Sequence, residues 1–241
     1  MENPNSVKST LRTRFETFVR TLDGFESIDA LLNGQEHEGV KRADYLFQGR
    51  SIIVEQKTLK ANPVDKPQKF ADKVMRDRGV IQFGTTSTQR LFSTQPDPNE
   101  LQRRLMLNIA KVIDNDVAYA DKQTRDTRQV FHIPAAIGIL LFLNESAEML
   151  TPELIRYALA NSFQRSEDDA LKYTQNDGVI LISEVHTLFV PGFLRAYPIN
   201  TFTSPQTMSG DKVIAFSNML MDRWAAFNHA PLLKETRQPF A

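Results

Sequence analysis

The sequence contains no cysteine at all. That absence rules out disulfides, cysteine-ligated zinc and thiol nucleophiles in one step. It also lacks a net charge, with 29 Lys and Arg against 29 Asp and Glu, so no whole-surface field draws it to a polyanion. Long apolar runs are missing too. The longest, IPAAIGILLFL at 133–143, is too short to span a bilayer, and the opening MENPNSVKSTLRTRF has no apolar core of a signal peptide. A soluble, cytoplasmic protein is the expectation. No Gly-x-Gly-x-x-Gly, Walker-type loop, Gly-x-Ser-x-Gly or His-Glu-x-x-His occurs, which leaves dinucleotide, nucleotide-motor, serine-hydrolase and zincin readings without support. The four histidines, His37, His132, His186 and His229, show no metal-ligand spacing.

What is present fits one folded domain spanning 1–241, with 41% apolar residues to build a core. Leu11, Phe15, Phe18, Val19 and Leu22 recur at helical spacing and predict a helix over 7–22. A basic helix is expected over 67–78, closed by Gly79, and a short strand at 80–83. Residues 84–98 read as a loop. Asn99 then caps a helix running to Tyr119, and the polar stretch DKQTRDTRQ bridges to a buried strand at 135–143. Thr151-Pro152-Glu153 opens another helix, Asp177-Gly178 turns into the strand VILISEV, and a last helix covers 211–227. Strands and helices mix without strict alternation, so the fold class is α/β with a mixed sheet.

One stretch carries most of the chemistry. Residues 42–58 read RADYLFQGRSIIVEQKT, an apolar strand that ends in Glu55, Gln56 and Lys57. Buried charge is costly without a partner or a task. Gly49-Arg50 between two strand-like runs suits a two-residue type II′ hairpin, in which paired positions sum to 99. That register sets Leu46 against Ile53 and Asp44 against Glu55, with Lys57 on the same face and Arg42 opposite it. Two opposed carboxylates repel each other, and a divalent cation reverses that interaction.

Asp44, a ten-residue gap, and then Glu55-Gln56-Lys57 at the end of an apolar strand resembles the PD-(D/E)xK nuclease superfamily. The resemblance implies a restriction-endonuclease-like mixed sheet flanked by helices, with its motif in residues 1–90 and a C-terminal elaboration over 91–241. It implies Mg²⁺-dependent (or Mn²⁺-dependent) hydrolysis of DNA phosphodiesters, of a restriction, repair or defence type, by a homodimer or within a larger complex. It maps metal binding to Asp44 and Glu55 and the catalytic lysine to Lys57. Many members carry a further acid on the first helix; Glu16 is the candidate, with Glu26 and Glu38 as rivals. Ala43 stands where the superfamily often has proline, and Gln68 is followed four residues on by Asp72 rather than the tyrosine of some members.

Residues 50 to 90 hold nine Lys and Arg against four Asp and Glu, so positive charge gathers beside this motif. Lys66, Lys69, Lys73 and Arg76 follow at offsets of three and four and form one stripe. The stripe is a candidate track for a nucleic-acid backbone, or else an ordinary solvated helix face. RNA as a substrate, and a catalytically inactive module that binds nucleic acid or protein, stand as alternatives to a deoxyribonuclease. Glu184, which ends a second apolar strand with no lysine after it, reads as a capping or salt-bridged acid.

Overall fold

The computed structural model describes residues 9–32, 41–60, 62–80, 87–167, 170–192 and 196–234. The expected strand at 80–83 lies mostly outside these, as do His37 and Glu38. The chain opens with helix α1 (Leu11–Val19), whose N-cap Thr10 accepts a hydrogen bond from the Thr13 amide. Strand β1 (Glu26–Ser27) and the one-turn α2 (Ile28–Leu31) lead to the hairpin of β2 (Tyr45–Phe47) and β3 (Ile52–Leu59). Three helices follow: α3 (Lys66–Asp77), α4 (Thr88–Ser93) and α5 (Pro98–Val130). Then come β4 (Ile137–Asn144), α6 (Pro152–Phe163), the small ribbon β5 (Ser166–Glu167) and β6 (Ala170–Leu171), β7 (Gly178–Ser183), β8 (Ile199–Thr203) and α7 (Gly210–Phe227).

Six strands form one mixed sheet in the order β1-β2-β3-β4-β7-β8. The β1-β2-β3 run is antiparallel, β3-β4 and β4-β7 are parallel, and β8 returns antiparallel. Every residue of β4 and β7 is buried, as expected of central strands covered on both faces. One face packs Leu140, Phe142, Val179 and Leu181 against Ile113 and Val117 of α5 and Ile155 and Leu159 of α6. The other packs Ile139, Leu141, Ile180 and Phe47 against Phe15 and Phe18 of α1 and Phe216, Leu220 and Trp224 of α7. The mixed α/β expectation is met by a helix–sheet–helix sandwich.

Two expectations fail for an identifiable reason. Residues 84–98 read as loop in the sequence, yet Ser87 accepts from the Arg90 amide and starts α4, which buries Phe92. The polar stretch at 121–129 is not a bridge but the last part of α5, which runs for 33 residues. Its buried face turns polar: Asp121 accepts from the Gln175 amide at 2.7 Å and Thr127 Oγ1 accepts from the Ala43 amide at 2.9 Å. Hydrophobic periodicity stops at Ala120 while the helix does not. Asn99 accordingly lies inside the first turn, with Asp97 at the cap position.

Candidate functional site

The hairpin register is the expected one: Tyr45 pairs Val54, Leu46 pairs Ile53 and Phe47 pairs Ile52. The turn differs in type. Gly49 and Arg50 both have positive φ (62° and 68°), as in a type I′ rather than a type II′ turn, and Gln48 is also left-handed at 50°. Both types have two central residues, so the register is the same. Arg50 at this strained position is held by Glu26, which accepts from its guanidinium at 2.7 and 3.0 Å. That contact occupies Glu26 with a structural task.

At the open end the ladder stops one residue short of expectation. β2 begins at Tyr45, and Asp44 stands just outside it, donating its amide to Val54 O at 3.1 Å. Its carboxylate instead accepts from the Gln56 amide at 2.7 Å, taking up a β3 donor that β2 does not reach. Asp44 is therefore a cap on β3, not a ladder partner of Glu55, yet its carboxyl still acts electrostatically on that of Glu55. Arg42, expected opposite Lys57, lies outside the strand; its Nε is 3.8 Å from Asp29.

Glu55 is 2% exposed. Lys57 donates to its Oε1 at 2.5 Å, and its Oε2 is buried with no hydrogen-bond partner. Burial, reinforced by the charge of Asp44 and opposed by Lys57, pushes the Glu55 carboxyl up to about 8. Burial likewise raises Asp44, against the lowering effects of the Gln56 amide, Glu55 and Lys57. Two carboxyls, one short of acceptor work, share a site with a single ammonium. An orphaned buried oxygen is costly, and a hard divalent cation between Asp44 and Glu55 would satisfy it. The donor set fits such an ion with two protein carboxylates. Among the described residues no group of three or more His, Asp or Glu side chains is arranged to hold a metal.

Two residues of the site were not anticipated from sequence, and both come from α5. Gln123 accepts from Lys57 Nζ at 2.9 Å and donates its Nε2 to Arg42 O at 2.7 Å. It thereby ties the lysine to the segment entering β2. Asp116, two turns earlier and half-buried, faces the charge of Lys57; burial pushes its carboxyl up to about 6. The signal that could have found Gln123 is Asp121, Thr124 and Thr127 at offsets of three. That helical stripe of polar residues shows that α5 continues past Ala120.

The remaining sequence candidates divide. Glu16 is paired with Arg12 at 2.6 Å on α1, and both act electrostatically on Tyr45; it does not complete a three-acid group with Asp44 and Glu55. Lys69, Lys73 and Arg76 are exposed on α3. Lys66 departs from their stripe: its ammonium donates to Asn108 O at 2.8 Å and pins α3 to α5. That anchor lies eight residues, about 12 Å along the helix, from Asp116. Glu184 is the salt-bridged acid expected, 2.5 Å from Arg14. Two hollows of about 350 Å³ open elsewhere, one beside Arg128 and Asp177 and one beside Gln48 and Phe216; neither is lined by Asp44, Glu55 or Lys57. No helix among the described residues is long and apolar enough to cross a membrane. No family model, curated protein or solved structure matches the chain.

Proposed function

We propose that the chain is a metal-dependent nuclease that hydrolyses phosphodiester bonds of DNA, with Asp44, Glu55 and Lys57 as its working residues. The observation that carries this reading is the convergence of two carboxyls and one ammonium, with Glu55 Oε2 buried and unpartnered. The mixed sheet, in which an antiparallel hairpin adjoins a parallel strand, agrees with the nuclease resemblance of the motif.

Asp44 and Glu55 would hold Mg²⁺ or Mn²⁺, which when bound lowers the pKa of water and offsets charge on the phosphoryl oxygens. Lys57 is fixed from two sides, by Glu55 and Gln123, so its positive charge stands ready where a phosphate approaches the carboxyls. Asp116, whose carboxyl burial raises to about 6, adds negative charge near Lys57 from α5 once ionised. Glu55 must give up its proton to serve as a ligand, so metal binding should release a proton and strengthen as pH rises.

The test is cleavage of supercoiled, linear and single-stranded DNA with Mg²⁺ or Mn²⁺, against a chelator control. Metal-dependent cleavage by the native chain, lost in Asp44→Ala and in Glu55→Gln, is the expected result. Activity that survives both substitutions removes the proposal. Salt-dependent DNA binding that ignores chelator, with no cleavage under any metal, would replace it with a binding module that retains the nuclease-like site.

A further inference from the structure

On α5, Asp116, Tyr119 and Gln123 follow at offsets of three and four, which places them on one narrow stripe. The outer two both act on Lys57, Gln123 by a 2.9 Å hydrogen bond and Asp116 through its charge. Tyr119 lies between them and is 53% exposed. Lys41 Nζ stands 4.9 Å from the centre of its ring. Lys41 in turn precedes Arg42, whose carbonyl holds Gln123. Ammonium, ring and candidate catalytic lysine are thus connected through Arg42 and Gln123.

The surroundings decide what such a ring can receive. Tyr119's neighbours on the helix surface are Asn115, Asp116, Lys122 and Gln123, all polar, with Asn115 and Lys122 exposed. An apolar protein surface would find no continuous partner here, because interface cores are depleted of charge. A nucleobase suits the arrangement: it offers a π-face to the tyrosine while its phosphates meet Lys41 and Lys122. Within a duplex each base is already stacked on both sides, so the ring can engage only a base that has left the stack.

We propose that Tyr119 and Lys41 form a stacking shelf for an unpaired nucleobase next to the scissile phosphate, making single-stranded or frayed nucleic acid the favoured substrate. This inference rests on the nuclease reading of the Asp44–Glu55–Lys57 cluster and adds the form of the substrate to it. Stacking on an aromatic ring does not discriminate among bases, so the shelf selects strandedness and not sequence.

The experiment measures fluorescence anisotropy of a labelled oligothymidylate and of a duplex of equal length, in chelator, so that binding is read without cleavage. Tyr119→Ala should weaken single-strand binding roughly 5- to 150-fold and leave duplex binding within about twofold. Tyr119→Phe keeps the ring and should bind within about twofold of the native chain, and Lys41→Ala should flatten the salt dependence of single-strand binding. Unchanged single-strand binding by Tyr119→Ala, or an equal loss on both DNAs, overturns the shelf. The two readings fail separately. If Tyr119→Ala cleaves single-stranded DNA at the native rate, the nuclease stands and the shelf falls; if the native chain cleaves nothing under any metal, the nuclease falls first.

Discussion

Replacing Glu55 by glutamine isolates the cost of holding an acid in this site. In the metal-free protein the folded state keeps a proton on Glu55 up to about pH 8, whereas the unfolded chain releases it near 4.5. Between those values the folded state binds more protons, so stability must fall as pH rises. The slope approaches 1.4 kcal/mol per pH unit, about 4 to 5 kcal/mol across the whole window. Stability from this group is thus fully present below about pH 4.5 and gone above about 8. The amide introduced by Glu55→Gln does not titrate. Its oxygen can still accept from Lys57, and its nitrogen brings a donor in place of the unpartnered Glu55 Oε2. The two proteins should therefore be of similar stability near pH 5, and the variant should be more stable by several kcal/mol near pH 8.5. Burial also raises Asp44 in both proteins, so the difference between the two curves, and not either curve alone, reports Glu55. Urea unfolding in chelator at a series of pH values reads this directly. Addition of Mg²⁺ or Mn²⁺ at pH 8.5 should restore stability to the native chain and not to the variant. A variant that loses stability with pH as steeply as the native protein, or that is less stable at pH 8.5, refutes the reasoning.

Three further outcomes test the frame around the site. Gln123→Ala removes acceptor and donor from the Lys57–Arg42 bridge and should cost about 1–3 kcal/mol in urea unfolding, with kcat falling more than KM rises; a normal kcat would show that Glu55 alone orients Lys57. Lys66→Met should destabilise by about 1–2 kcal/mol because it releases α3 from α5, whereas Lys73→Ala should stay within about 0.5 kcal/mol and, if α3 follows DNA, reduce the salt slope of binding by about one. Gly138→Ala places a methyl 2.0 Å from Gln175 O and 2.7 Å from Thr124 Cγ2, so a loss of more than about 1–3 kcal/mol in thermal unfolding is expected; a neutral result would mean that α5 and the 175 segment are less tightly fixed than described.

What could be read from the sequence was set by residues whose chemistry acts locally. The register of β2 and β3 was legible because Gly49 announces a tight turn and a side-chain period of two leaves one way to bury Leu46 and Ile53 together. Thr151-Pro152 was legible because cap and first turn are neighbours in the chain. The second half of α5 was not. Asp121 and Thr127 are buried only because Gln175 and Ala43, some 50 to 85 residues away, supply partners. A polar residue with a distant partner looks in sequence like a polar residue in water. Gln123 was lost with that half-helix; Asp116 fell inside the expected helix, but nothing near it in the chain sets it beside Lys57.

The change from apolar to charged along β3 follows from how its two edges are paired. Ile52 to Val54 have β2 on one side and β4 on the other, so both edges of the backbone are satisfied and the side chains are buried against helices. From Glu55 onward β4 remains but β2 has ended, and the sheet opens on that side. An amide left at such an edge needs an acceptor, which Asp44 provides to Gln56. The same shortening of β2 that creates this need also leaves room for a carboxylate near Glu55, while Gln123 of α5 reaches Lys57 beside it. Extending β2 by two residues would bond Gln56 through the backbone, release Asp44 from its cap and close the edge. On this reasoning a chain with a longer hairpin would gain stability and lose the site, so the short β2 is what allows two acids and a lysine to meet inside an otherwise apolar sheet.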